Sequence, residues 1–228
     1  EKYQDKKGIG RWIFDHLGKS PVLMSSVNGE TRAKVATNLL HDYGYFNGTV
    51  SYQEVPQKNP KEAKVNYVID MAQPYFLDSI AYLRYPHYAD SLIQSTRSLS
   101  VLKSEENFSV IKLEEERQRL SNLFRNHGYY YYRPEFTTYR ADTLQKSGYV
   151  SLQVVPRNGI PAEAKKQYYI GNTSVYLTGY DNEPPTDTLR LRTMTFYYSG
   201  KKPGIRPNAL MRNVFFRKGE LFSQDRQT

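Results

Sequence analysis

Apolar and polar positions along this chain follow two periods, one helical and one of strands. Val35, Leu39, Leu40 and Tyr43 fall on one face of a helix, with polar residues between them. Gly44 stands just past that face, where a chain leaving a helix needs a left-handed residue. Tyr45 and Phe46 then lead into an alternating run. There Val50 and Tyr52 alternate with Thr49, Ser51 and Gln53, which predicts a half-buried strand. Gln57-Lys58-Asn59-Pro60 reads as a loop, and Val65, Tyr67 and Ile69 as the buried face of a second strand. Arg11 to Leu17 is a candidate for an earlier helix.

The same succession returns. Asn38 to Phe46 recurs 84 residues on as Asn122 to Tyr130, with Gly44 becoming Gly128. The second helix carries Leu113, Leu120 and Phe124, with Ile111 just before them. Glu114, Glu115 and Glu116 read as a solvated first turn at the positive end of its dipole. Arg133 to Tyr139 and the run with Val150, Leu152 and Val154 are the expected strands. Pro134 cannot donate to a ladder, so the first of them should be an edge. Upstream of this helix, Phe76 to Tyr82 predicts a strand, and Ala89 to Ile93 a short helix.

Parts of a third copy follow. Tyr75 to Ile80 pairs with Tyr168 to Thr173, Val101-Leu102-Lys103 with Phe215-Phe216-Arg217, and Phe108-Ser109 with Phe222-Ser223. Tyr168 to Leu177 is read as a strand and Asn208 to Asn213 as a short helix, with Asp181 to Asp187 a mobile polar insertion between them. The expected class is α+β: tandem β-α-α-β-β modules, each a three-stranded mixed sheet backed by two helices. The boundaries are 1–73 (first strand missing or unrecognised), 74–160 (complete) and 161–228 (truncated), so the chain reads as a piece of a longer protein.

Composition narrows the function classes. No run approaches the ~20 apolar residues of a spanning helix, and the mean hydropathy is -0.71. Only 39% of residues are hydrophobic, which suits several small cores better than one large one. Zero Cys removes disulfides, thiolate metal sites and a cysteine nucleophile. The four His residues (His16, His41, His87, His127) are scattered, and a helix-end His is most often a cap. No catalytic, cofactor-binding or metal residues are assigned, and an enzyme is not expected. The +9 net charge fits a solvated basic surface, with Lys6-Lys7, Lys201-Lys202 and Arg206 as candidates to face anionic lipid. No basic helix face or nucleic-acid signature accompanies it, so nucleic acid is not expected. Tyr129 to Tyr132 is read as a strand start, two rings facing inward and two outward, packing favoured over partner contact.

A β-α-α-β-β module of this length resembles the POTRA (polypeptide-transport-associated) domain. The likeness rests on the Leu39-Leu40 to Gly44-Tyr45-Phe46 helix ending, the Val65, Tyr67, Ile69 strand, and the Tyr168-Tyr169-Ile170-Gly171-Asn172-Thr173 start. It covers residues from about 20 to 228. The run Leu17-Gly18-Lys19-Ser20-Pro21-Val22 resembles TamA-like proteins of Bacteroidota. Phe76 to Ile80 departs from the family's Ile-Gly-Asn-like turn, and the family's C-terminal β-barrel is absent here.

The resemblance implies periplasmic domains of a BamA/TamA-type outer-membrane protein that assembles or translocates other proteins. It implies that the module's second strand is an exposed edge, which can pair with an extended chain by β-augmentation. By position, the candidate client-binding residues are Thr49, Val50, Ser51, Tyr52 and Gln53, and Phe136, Thr137, Thr138 and Tyr139. The implied partners are unfolded outer-membrane proteins or periplasmic chaperones, other envelope assembly proteins, and the protein's own C-terminal barrel. No cofactor is implied. The alternative is an envelope scaffold that uses the same modules to tether proteins without handling unfolded clients.

Overall fold

The computed structural model describes residues 27–58, 63–178, 184–215 and 217–226. The chain divides into two compact units between Gln73 and Pro74.

In the first unit, helix α1 spans Gly29–Asp42, and the Asn28 side chain caps it by accepting from Thr31 N at 2.9 Å. Gly44 ends it at φ 89°. Strands β1 (Thr49–Pro56) and β2 (Ala63–Asp70) form an antiparallel ribbon with Val50 opposite Ile69 and Tyr52 opposite Tyr67. The expected buried faces are largely exposed. Val35, Leu39 and Tyr43 are exposed, as are Tyr52, Tyr67 and Ile69, and Val65 is half-buried. Among the described residues this unit has one helix on a two-stranded ribbon, too thin a layer to bury both the helix stripe and a strand face. The candidate helix Arg11 to Leu17 lies outside the described residues.

The second unit, Pro74–Thr228, contains the complete module. Its elements are β3 (Phe76–Tyr82), α2 (His87–Ser95), α3 (Val110–Asn126), β4 (Thr137–Asp142) and β5 (Tyr149–Pro156). The sheet order is β3-β5-β4, with β3 parallel and β4 antiparallel to β5. This is the expected mixed sheet backed by two helices. On β5 the alternating Val150, Leu152 and Val154 all face the core. Leu77 of β3, Ile93 of α2 and Leu120 and Phe124 of α3 complete it, each at most 1% exposed. Burial of this depth stabilises by about 1.5–3 kcal/mol per side chain. The register on β3 slips between Leu77 and Ile80.

Three expectations fail in this module. Pro134–Phe136 is a 3-10 turn, so β4 starts only at Thr137; proline's fixed φ suits the turn's first residue. Tyr129 to Tyr132 is a turn, not a strand. Its outcome is still two rings buried (Tyr129, Tyr132) and two exposed (Tyr130, Tyr131), but strand alternation does not produce it. Because the helix begins at Val110, Glu114, Glu115 and Glu116 lie past its first turn, and Glu116 is fully buried.

The third sheet contains β6 (Thr173–Leu177), β7 (Asp187–Leu191) and β8 (Met194–Tyr198), in the order β6-β8-β7. Here too the first strand is parallel and the second antiparallel to the central one. The β7–β8 hairpin lies within the stretch between β6 and helix α4 (Pro207–Arg212), where no strands were anticipated. The expected strand from Tyr168 is shortened, since Tyr169 makes only an isolated bridge to Leu221. Phe76 makes the matching bridge to Asn107 in the second module. Part of the insertion Asp181 to Asp187 lies outside the described residues.

The second and third sheets are joined at the end of α3. Gly128, at φ 93°, lets the chain turn where an added Cβ would come within 2.6 Å of Leu221 Cδ1. Tyr130 meets Phe222 edge-on at 4.8 Å, and Tyr131 meets Tyr168 at 5.2 Å. Asn126 Nδ2 donates to Asp225 Oδ2 at 2.6 Å, and Asp225 N donates to Asn126 Oδ1 at 3.0 Å. The exposed tyrosines of the turn therefore pack against the third module.

Candidate functional site

Among the described residues, β1 pairs only with β2, and β4 only with β5. Each thus leaves one side without a strand. The direction of each backbone group follows from hydrogen bonds at the strand ends.

On β1, Val50 N donates to Thr37 Oγ1 of α1 at 3.0 Å and so points away from β2. Alternation sends the N–H groups of Tyr52 and Glu54 to the same outer side. The missing N–H of Pro56 agrees, because it falls at an outer position where the ladder loses nothing. Thr49, Ser51 and Gln53 then exchange bonds with β2. Of the five sequence candidates on β1, only Tyr52 offers an outward donor without a partner among the described residues.

On β4, Arg157 N donates to Phe136 O at 2.7 Å, so Phe136 faces β5. Thr138, Arg140 and Asp142 follow it inward, while Thr137, Tyr139 and Ala141 face outward. The Thr137 N–H is held by Pro134 O in the 3-10 turn. Tyr139 and Ala141 supply the outward donors. Phe136 is a turn residue whose ring packs against Tyr132 at 5.6 Å. Glu54 and Ala141 were missed in the sequence, where the parity of pairing could not be read.

The side chains fix β4 in place. Tyr139 Oη donates to Leu113 O of α3 at 2.6 Å, with the Arg117 guanidinium 5.1 Å from its ring centre. Burial pushes the Tyr139 hydroxyl far above its ordinary pKa. Thr137 is buried, its hydroxyl 3.1 Å from that of Tyr132, and burial pushes Tyr132 up to about 12. The opposite sheet face is polar, with Ser79, Arg140, Ser151 and Gln153 around a shallow depression. Main-chain donors on an otherwise anchored strand can bind another backbone with little dependence on its sequence.

The other sequence candidates do not assemble into a site. The His41 ring lies 3.2 Å from Gly48 O and the His127 ring 2.8 Å from Leu123 O, so both hold local backbone. Lys201, Lys202 and Arg206 are exposed, and Lys6-Lys7 lies outside the described residues. Among the described residues, no His, Asp and Glu side chains cluster as a metal site, and no helix is long and apolar enough to cross a membrane.

No family model and no curated protein matches the chain. Solved structures to which it is similar include POTRA domains 3–5 of BamA from Haemophilus influenzae, at 8% identity and TM-score 0.43, over 88% of this chain and 66% of that one. BamA from Haemophilus ducreyi lacking POTRA domains 1–3 gives 12% identity and TM-score 0.38, over 69% of this chain and 27% of that one. The N-terminal domain of Omp85 from Thermosynechococcus elongatus gives 14% and 0.28, over 96% and 75%. The first two are thus spanned over less than two thirds of their length. The fold and its edges stand on this chain's own topology.

Proposed function

We propose that this chain is a periplasmic docking region of tandem POTRA modules from a BamA/TamA-type outer-membrane protein, and that it binds extended polypeptide by β-augmentation. The observation that carries this reading is the pair of outward donors on each of two separate edges: Tyr52 and Glu54 on β1, Tyr139 and Ala141 on β4. Unpaired edges invite strand addition unless they are covered, and repeating them along a chain allows several weak contacts on one client. The clients are unfolded outer-membrane proteins or the chaperones that carry them. The module boundaries at 73/74 and 160/161 belong to the same reading.

Amide hydrogen exchange tests it. The 228-residue protein is incubated with a peptide copied from an outer-membrane β-strand, and exchange is followed residue by residue. The amides of Tyr139 and Ala141, or of Tyr52 and Glu54, should slow while those of solvent-exposed loops do not. Unchanged exchange at all four would reject edge pairing. Protection by folded envelope proteins but not by the unfolded peptide would favour the tethering scaffold.

A further inference from the structure

A second feature lies apart from both edges. A cavity of about 400 Å³ opens at the end of the second module's sheet. Its walls are Ala89 of α2, Phe124 of α3, Tyr129 and Tyr132 of the turn, and Ile160 and Ala164 beyond β5. Its other lining residues include Arg84, Arg157 and Lys165, all exposed, and no carboxylate is among them. Among the described residues, none of these three cations forms an ion pair, although carboxylates hold Lys112, Arg117, Arg119 and Lys146 elsewhere in the module. Arg84 also holds a left-handed backbone, φ 65°, without being glycine, a conformation that costs energy and recurs at binding sites.

We propose that this cavity is a docking pocket for an acidic protein partner. One large apolar side chain of the partner enters between Phe124, Tyr129, Tyr132 and Ile160, and carboxylates on its flanks lie over Arg84, Arg157 and Lys165. The arrangement matches the usual anatomy of a binding anchor, a buried apolar insertion ringed by polar contacts. The cations come from separate segments, the β3–α2 loop and the stretch after β5. Several carboxylates spaced along a peptide complement such a rim better than one lipid headgroup does. The chain's +9 charge adds long-range attraction for the same partner. No lining residue belongs to β1 or β4, so the pocket and edge pairing are independent.

The test uses fluorescence anisotropy of labelled pentapeptides titrated with the 228-residue protein. The panel carries a central Trp, Phe, Leu or Ile between pairs of Asp. Controls carry a central Ala, or pairs of Lys in place of Asp, and vesicles of phosphatidylglycerol form a separate arm. At least one acidic peptide with a large centre should bind, more weakly in high salt, and its Ala-centred control should not. The double reversal R157E/K165E changes exposed side chains only and should weaken that binding roughly tenfold. The proposal is overturned if no member of the panel binds, if the Ala-centred or Lys-flanked controls bind as well, or if the reversal has no effect. Vesicle binding that the reversal abolishes, without peptide binding, would assign the pocket to lipid instead.

Discussion

Arg119 grips the fully buried carboxylate of Glu116 from one turn further along α3, with Nη2 2.6 Å from Oε1 and Nε 2.9 Å from Oε2. Tyr82 Oη donates to the same carboxylate, and Val101 N donates to Oε2 at 3.2 Å. Tyr82 Oη also lies 2.9 Å from Ser100 Oγ. One side chain therefore ties together β3, α3 and the loop between the two helices. A buried charge is tolerable only when its lone pairs are filled in this way.

Removing Glu116 should therefore be severe. Glu116→Ala leaves a largely buried guanidinium unpaired and strips the Val101 amide of its acceptor. Breaking a buried pair from one side costs about 3–5 kcal/mol, to be read as a lowered midpoint in urea unfolding. Tyr82→Phe loses only hydroxyl bonds and should cost about 1.5–3 kcal/mol. Near-equal losses for the two variants would show that the charge is not the organising element.

Gly128 and Gly148 separate backbone freedom from close packing. Both sit at positive φ, 93° and 76°, but an added Cβ meets Leu221 Cδ1 at 2.6 Å in the first and nothing within 4 Å in the second. Gly148→Ala should cost about 1–2 kcal/mol, the left-handed penalty alone. Gly128→Ala should cost more, and should speed amide exchange around Ile170 and Phe222, whose N–H groups donate to Glu220 O and Tyr168 O. Equal losses at the two positions would remove the case for a tight joint there.

What the sequence disclosed was local. Gly44 and Gly128 could be placed from the end of a helical period, and β5 from its alternation, because each signal lies within a few neighbouring residues. Glu116 could not be recognised as buried, since Tyr82 lies 34 residues away and only the fold brings it near. Tyr129 to Tyr132 has strand composition, yet the turn after Gly128 overrides propensity. The β7–β8 hairpin carried visible alternation in Leu189, Leu191, Met194 and Phe196. Its turn, Arg192-Thr193, lacks the usual Asn-Gly type of signal, and Arg192 adopts φ 52° without being glycine. The edge strands were legible, but not which of their amides face outward. That depends on Thr37 and on the Phe136–Arg157 bond, which are tertiary facts.

Proline scanning of β4 should reveal that parity. Ala141→Pro removes an outward N–H that makes no ladder bond, so its cost should stay below about 1 kcal/mol. Arg140→Pro removes an N–H directed at β5, opposite Gln153, and should cost about 1–3 kcal/mol for the acceptor left unpaired. The first variant should keep native circular dichroism yet lose peptide protection at β4. The reverse order of stabilities would show that the register faces the other way.

Alkaline titration probes the tyrosine core. Burial, reinforced by the bond to Glu116, pushes Tyr82 up to about 12, and burial pushes Tyr132 to about 12. In the unfolded chain both would ionise near the ordinary tyrosine value of 10.0. The folded state therefore holds more protons than the unfolded state between those values, and stability falls with rising pH there. The tyrosine contribution is complete below pH 10 and is lost as pH climbs towards 12. Absorbance at the phenolate band should show a late group of tyrosines, Tyr82 and Tyr132 among them, that ionises only as near-ultraviolet circular dichroism collapses. Tyr82→Phe should shrink that late group by one. A single early titration with the fold intact would mean that these hydroxyls are open to water.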